Sequence, residues 1–105
     1  MKDFTYTDSE TQKEYKFSLR EPTISDLQTI GFPPDKNIKT VLSDEKRFNV
    51  LFSYTETVLK CLESDGNNTD ISQMSVFTWI DLTRDILEFM PKSYYDIATS
   101  VEKKR

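Results

Sequence analysis

Two carboxylates four residues apart are the best candidate for catalytic or metal chemistry in this 105-residue sequence. Asp81 and Asp85 fall on one face of a predicted helix, where such a pair could hold a divalent cation or share a proton. Arg84 and Glu88 lie on the same stripe. A stripe of mixed charge is typical of a solvated helix face with ion pairs at i,i+3 or i,i+4. We therefore interpret it as solvent-exposed surface and predict no metal site there.

The remaining composition argues against most other catalytic chemistry. The chain has no histidine, which removes Ser-His and Cys-His nucleophilic catalysis and the usual zinc sites. Its two glycines, Gly31 and Gly66, are too far apart for a phosphate-binding loop or a dinucleotide fingerprint. Cys61 is the single cysteine, so neither an intrachain disulfide nor a thiolate cluster can form. We expect a protein that is not an enzyme and that binds no cofactor.

Charge and hydropathy restrict the partners. Fourteen Lys and Arg against eighteen Asp and Glu give a net charge of −4, and an acidic surface repels the phosphate backbone of nucleic acids. No apolar run approaches the roughly 18 residues of a membrane span, and no signal peptide is apparent. We therefore expect a soluble, cytosolic protein that binds neither nucleic acid nor membrane.

Aromatic content and length predict one folded domain over residues 1–105. Seven Phe, five Tyr and one Trp indicate a packed core rather than a disordered acidic segment. Phe4 and Tyr6 alternate with polar residues, and Tyr15, Phe17 and Leu19 do so again after a polar loop. This period of two predicts a β-hairpin within residues 1–21, followed by a helical part over 22–105.

The first helix has clear boundary signals. Pro22 disfavours helix at the preceding residue and ends the second strand. Thr23 is the predicted N-cap, because its hydroxyl can accept the backbone N–H of Asp26. Gly31 is a typical C-terminal stop, so the helix should run from about Ile24 to Ile30.

Further helices follow at 3.6-residue spacing. They are a turn around Ile38 to Leu42, a helix from about Asp44 to Ser64 capped by Ser43, a brief turn from Thr69 or Asp70 through Met74, a helix to Met90 capped by Ser75, and a helix from about Lys92 to Lys103 after Pro91. We call the helix that ends at Met90 the wide helix, because its apolar side chains cover a wide arc. The predicted fold class is α+β, an N-terminal β-hairpin packed on a small bundle of three to four α-helices.

The wide helix is named for its apolar arc. Apolar side chains cover about half of its circumference, whereas a single core contact requires only about 100°. We expect Phe77, Leu82 and Phe89 to be left at an edge of the covered surface. Exposed apolar patches usually mark interfaces. Three alternatives remain open: a partner groove, a self-association face that makes a homo-oligomer, or cover by the last helix folded back after Pro91.

The segment "YKFSLREPTISDL" resembles the tail-assembly proteins of tailed bacteriophages, which include tail-assembly chaperones and small baseplate-hub assembly proteins. Such proteins often open with a short hairpin whose second strand ends in a Leu-Arg-x-Pro-Thr-like step into a helix. The matching residues are Leu19, Arg20, Glu21, Pro22, Thr23, Asp26 and Leu27. The later "VLKCLESDGNNTDISQMSVFTWIDLTRDILEFMP" is similar in its layout of helix, acidic turn and helix.

This resemblance implies a non-enzymatic assembly factor in the host cytoplasm. Its partner would be a phage structural protein such as a tape-measure, tail-tube or baseplate-hub component. The wide helix would make the main contact, and Arg20 and Glu21 would add to it. A second hypothesis is a small acidic phage-type inhibitor that imitates nucleic acid or blocks a host enzyme. Evenly spaced charge disfavours it, because a mimic should concentrate carboxylates on one face.

Overall fold

The computed structural model describes residues 1–34, 38–63 and 70–91. Over these residues the chain has an α+β fold, an N-terminal antiparallel hairpin followed by helices, which confirms the predicted class. The predicted helix from Lys92 to Lys103 lies outside the described residues. Every helix in the described part is too short or too polar to cross a lipid bilayer.

The hairpin consists of β1 (Lys2–Thr7) and β2 (Glu14–Leu19). Phe4 lies opposite Phe17, and Tyr6 lies opposite Tyr15. Successive side chains of a strand point to opposite faces, so the alternating aromatic residues share one face. Phe4, Tyr15 and Phe17 are buried there, as the alternation predicts. The aromatic face is the part of the hairpin that contacts the helices.

The first helix, α1 (Ile24–Ile30), has the predicted boundaries. The Thr23 hydroxyl accepts the N–H of Asp26, and the Asp26 carboxylate accepts the N–H of Thr23 in return. These two bonds satisfy backbone donors that the first helical turn leaves unpaired. Gly31 ends the helix at φ 81°, in the left-handed region that favours glycine, and its N–H donates to the Leu27 carbonyl.

The later elements are α2 (Ile38–Leu42), α3 (Glu45–Leu62), a 3-10 turn (Ile71–Gln73) and α4 (Val76–Phe89), of which α4 is the wide helix. Ser75 caps α4 as predicted. The cap predicted for α3 is wrong by one residue. Asp44 accepts the N–H of Lys46, whereas the Ser43 hydroxyl donates to the Thr40 carbonyl at the end of α2.

The end of α3 is tied to the hairpin. α3 stops at Leu62 because Glu63 leaves the helix and pairs with Leu19 of β2. The N–H of Arg20 also donates to the Leu62 carbonyl over 3.1 Å. Glu63 therefore takes part in this β-type pairing rather than in the helix, and the pairing joins two segments that are distant in sequence. Ser64, the predicted end of the helix, lies outside the described residues.

The core lies between the hairpin and the two long helices. α4 packs against β1 and α3 packs against β2, while α1 and α2 contact α3. The buried apolar side chains come from the strands, every described helix, the 3-10 turn and the residues that follow this turn and α4: Phe4, Tyr15, Phe17, Leu19, Leu27, Val41, Leu51, Tyr54, Val58, Leu59, Leu62, Ile71, Met74, Trp79, Leu82, Ile86, Leu87 and Met90. The hairpin is therefore stabilised by the helices that cover its aromatic face.

Candidate partner-binding surfaces

The first turn of α4 carries two exposed apolar residues, Val76 and Phe77, which we call the α4 patch. Phe77 is 77% exposed and Val76 is 53% exposed. Both follow Ser75, whose hydroxyl oxygen accepts the N–H of Thr78 and thereby fixes the start of the helix. An exposed aromatic ring on an ordered backbone can contact a partner with little loss of conformational freedom.

Charged residues continue the same face of α4 beyond Phe77. Asp81, Arg84 and Glu88 follow at i+4, i+7 and i+11, and all three are exposed. This matches the predicted solvated stripe. Phe77 therefore shares a face of α4 with these charged residues and does not belong to the apolar arc that faces the core.

Leu82 has no exposed surface, so the expectation that it lies at an edge is wrong. β1 covers one side of the apolar arc, where the Phe89 ring meets the Phe4 ring edge-on at 6.1 Å. α3 covers the other side, where the Phe48 ring lies 5.1 Å from the ring of Trp79. Leu82 belongs to the core. Phe89 is half-buried, and only Phe77 of the three residues is largely exposed.

Arg20 joins the hairpin, α1 and α3. Its guanidinium donates to both carboxylate oxygens of Asp26, over 2.6 and 3.0 Å, and to the Cys61 carbonyl over 2.8 Å. The hydrogen bond from Arg20, followed by the N–H of Thr23, holds the pKa of Asp26 well below its usual range. With its guanidinium engaged in this way, Arg20 acts as an internal clasp. Glu21 beside it is exposed.

Asp8 fixes the position of the α4 patch and was not predicted as a site residue. It is fully buried, and its carboxylate accepts the N–H of Ser75 over 2.7 Å and that of Glu10 over 2.9 Å. The Ser75 bond is the main cause that lowers the pKa of Asp8. Because Ser75 is the N-cap of α4, Asp8 holds the start of this helix against the hairpin loop. An Asp at the start of a polar loop is a known turn signal, but no pattern in the sequence indicates that it bonds the distant Ser75.

Asp85 differs from the solvated group that its stripe predicts. It is half-buried and accepts the Tyr6 hydroxyl over 2.5 Å. Burial, the bond to Asp85 and the negative charges of Asp85 and Asp81 raise the pKa of Tyr6, in that order. The tyrosine therefore stays protonated and donates to the carboxylate. In the described part of the chain, no three acidic or cysteine side chains group as metal ligands.

An open groove of about 630 Å³ runs beside this contact. Lys2 and Phe4 of β1 line one wall, and Asp85, Glu88 and Phe89 of α4 line the other. Each wall therefore carries one aromatic side chain, and the α4 wall also carries two carboxylates. Phe89 reaches the surface here, away from the first turn of α4.

Comparison of the chain with protein-family models, curated proteins and solved structures finds no match. The five predicted contact residues do not form one site in this geometry. Phe77 is on the α4 patch, Phe89 is in the groove, Arg20 is in the clasp with Glu21 exposed beside it, and Leu82 is in the core.

Other exposed apolar residues are spread over the surface. Ile24 begins α1, Leu42 ends α2 and Val50 lies in α3, with exposed fractions of 71%, 42% and 54%. Single exposed apolar residues are normal on a protein surface. Val50 is useful as a reference for the α4 patch, because it is an exposed apolar residue on the other long helix.

Proposed function

We propose that the protein is a non-enzymatic assembly chaperone for a phage tail or baseplate, which binds a structural tail component through the α4 patch. The exposure of Phe77 on an ordered helix start is the observation that supports this most strongly. Burying a Phe side chain in a partner contributes about 1.5–3 kcal/mol, and aromatic residues are enriched among the residues that dominate interface energies.

The surroundings of Phe77 are typical of an interface with an apolar centre and a polar rim. Asp81, Arg84 and Glu88 extend from it along α4. Charges at a rim contribute more to association rate and specificity than to affinity. A groove on the partner that accepts the Phe77 ring, with complementary charges beyond it, would fit this face of the helix.

The class of partner comes from the sequence resemblance. The segment from Leu19 to Leu27 resembles phage tail-assembly proteins, whose clients are tape-measure, tail-tube or hub components. In this chain the Arg20 side chain of that segment serves the internal clasp with Asp26 and Cys61. We therefore assign the client contact to the α4 patch, with exposed Glu21 as a minor contributor.

Co-expression with the tail and hub proteins of the same genome, followed by affinity purification, tests the proposal. We expect one structural component to co-purify with the wild-type chain and to be lost with Phe77→Asp. This substitution should preserve the fold, because position 77 is exposed and an acidic residue is favourable in the first turn of a helix. Val50→Asp is the matched control, since it places the same charge at an exposed apolar position of α3.

Two results would overturn the proposal. One is that no structural protein of the genome co-purifies. The other is capture of a basic host protein that is released at high salt and is insensitive to Phe77→Asp. That outcome would instead support an acidic inhibitor, because exposed charge pairs weaken as salt rises.

A further inference from the structure

Among the described residues, β1 is an edge strand with one free side. The sheet has two strands, so β2 occupies only one edge of β1. Within the described residues, the backbone of β1 forms no hydrogen bond on its other side. An unpaired edge offers N–H and C=O groups to an additional strand.

The register shows which residues face outward. Asp8 donates its N–H to the directly opposed Lys13, and antiparallel pairs alternate between bonded and non-bonded. Tyr6, Phe4 and Lys2 are then bonded to β2, whereas the N–H and C=O groups of Asp3, Thr5 and Thr7 point away from it. The same alternation turns the N–H of Arg20 away from β1, and this group does bond the Leu62 carbonyl on the far side of β2. Asp3, Thr5 and Thr7 are all exposed.

The groove borders this strand on the α4 side. Phe4 on the β1 wall meets Phe89 on the α4 wall edge-on, and the Asp85 and Glu88 carboxylates belong to the α4 wall. Asp81 lies one turn before Asp85 and is exposed on the same helix. Lys2, at the start of β1, is the single cation among the described residues that line the groove.

We propose that the outer edge of β1 binds an extended, basic segment of a partner protein as a third strand. Alternate side chains of that strand would face the groove, with an apolar side chain over Phe4 and Phe89 and a Lys or Arg beside Glu88 and Asp85. Charge selects this occupant, because a cation complements the α4 wall. A second copy paired through the same edge would bring two acidic walls together. This surface includes neither residue of the α4 patch, although Asp81 and Glu88 also belong to the charged rim proposed for the client. The inference rests on the edge of β1 and on the groove, so it does not depend on the proposed function.

The probe is a capped synthetic peptide of about nine residues, in which valine and arginine alternate on one face with threonine between them. A matched peptide carries glutamate in place of arginine. Amide exchange is measured by NMR on the isotopically labelled full chain. The arginine peptide should slow exchange at Asp3, Thr5 and Thr7 by about tenfold or more at saturation, because these amides become hydrogen-bonded. The amides of Phe4 and Tyr6, which already bond β2, should change little.

Two variants separate the contributions of backbone and charge. Thr5→Pro removes an outward N–H, at an edge position where proline is tolerated, and should weaken the arginine peptide by about tenfold or more. Glu88→Lys should weaken the arginine peptide by about two- to fivefold and strengthen the glutamate peptide, and it provides the test if Thr5→Pro does not fold. Phe77→Ala is the control and should bind both peptides as wild type does.

Three results would refute the inference. The first is equal affinity for the two peptides. The second is binding that leaves the exchange of the Asp3, Thr5 and Thr7 amides unchanged. The third is slow exchange of these amides in the free protein, which would show that the edge is already occupied by other residues of the chain or by a second copy.

Discussion

Leu82 and Phe77 lie five residues apart on α4, and truncating each to alanine should have very different effects on stability. Leu82 has no exposed surface. Leu82→Ala removes three carbon groups from the core, a transfer loss of about 2.4 kcal/mol at about 0.8 kcal/mol per group. The cavity that remains raises the expected loss in unfolding free energy to about 3–5 kcal/mol.

Phe77→Ala should be nearly neutral. Phe77 is 77% exposed, and surface substitutions away from special contacts usually stay within about 0.5 kcal/mol. Alanine also has a higher intrinsic helix propensity than phenylalanine, so a small gain is as acceptable as a small loss. The two variants therefore differ by about 3 kcal/mol or more in unfolding free energy.

Urea unfolding measures this difference. Far-ultraviolet circular dichroism follows the helices, and the fluorescence of Trp79, which is 3% exposed, follows the core. At about 4–8 °C per kcal/mol, Leu82→Ala should also lower the melting temperature by about 12 °C or more. The m-value should stay constant, since a cavity changes stability without changing the surface exposed on unfolding.

The reasoning fails if Phe77→Ala costs more than about 1.5 kcal/mol, well above the range for an exposed site. That result would show that Phe77 is covered, as in the alternative in which the chain folds back after Pro91. It also fails if Leu82→Ala lowers the free energy of unfolding by less than about 1 kcal/mol, because removing a buried Leu side chain leaves a cavity that costs more than this.

Three further predictions concern ionisable groups and follow from their contacts. The pKa of Asp26 is lowered in the folded state, so its contribution to the free energy of unfolding is present above the ordinary value of 3.8 and is lost as pH falls below it. The urea midpoint should therefore fall steeply with acid in wild type and less steeply in Asp26→Asn, and identical acid profiles would contradict this. The pKa of Tyr6 is raised in the folded state, so its contribution to the free energy of unfolding is present below pH 10.0 and is lost as pH rises above it. Tyr6→Phe should lower the free energy of unfolding by about 1–2 kcal/mol at neutral pH and reduce the alkaline loss of stability, whereas an unchanged alkaline profile would count against the bond to Asp85. The Tyr54 hydroxyl is buried without a hydrogen-bond partner among the described residues. Tyr54→Phe should therefore be neutral or stabilising by up to about 1 kcal/mol in urea unfolding, and a loss of more than about 1 kcal/mol in the free energy of unfolding would reveal a partner.

The local elements follow from the sequence because their signals are local. Alternating aromatic residues predict the hairpin, and the Thr23 and Asp26 pair predicts the start of α1, both as found. The N-cap of α3 is Asp44 and not the predicted Ser43, because the Ser43 hydroxyl donates to the Thr40 carbonyl in α2. Neighbouring cap candidates of this kind cannot be separated without the preceding element.

The surfaces depend on contacts between distant residues, which a single sequence does not show. The wide apolar arc of α4 is correctly recognised, but the division between core and surface depends on β1 and α3 covering it from two sides. Leu82 was misplaced for this reason. The bond between Asp8 and Ser75 spans 67 residues, and that between Arg20 and Cys61 spans 41. Neither has a periodic or compositional signature.

The central claim is that the α4 patch binds a structural tail component, and calorimetric titration of that purified component tests it most directly. Wild type and Val50→Asp should bind with the same Kd. Phe77→Asp should weaken binding by about 30-fold or more, equivalent to about 2 kcal/mol for a residue that dominates an interface, while its urea unfolding stays that of wild type. Binding by Phe77→Asp within about threefold of wild type, or an equal loss with Val50→Asp, would contradict the claim.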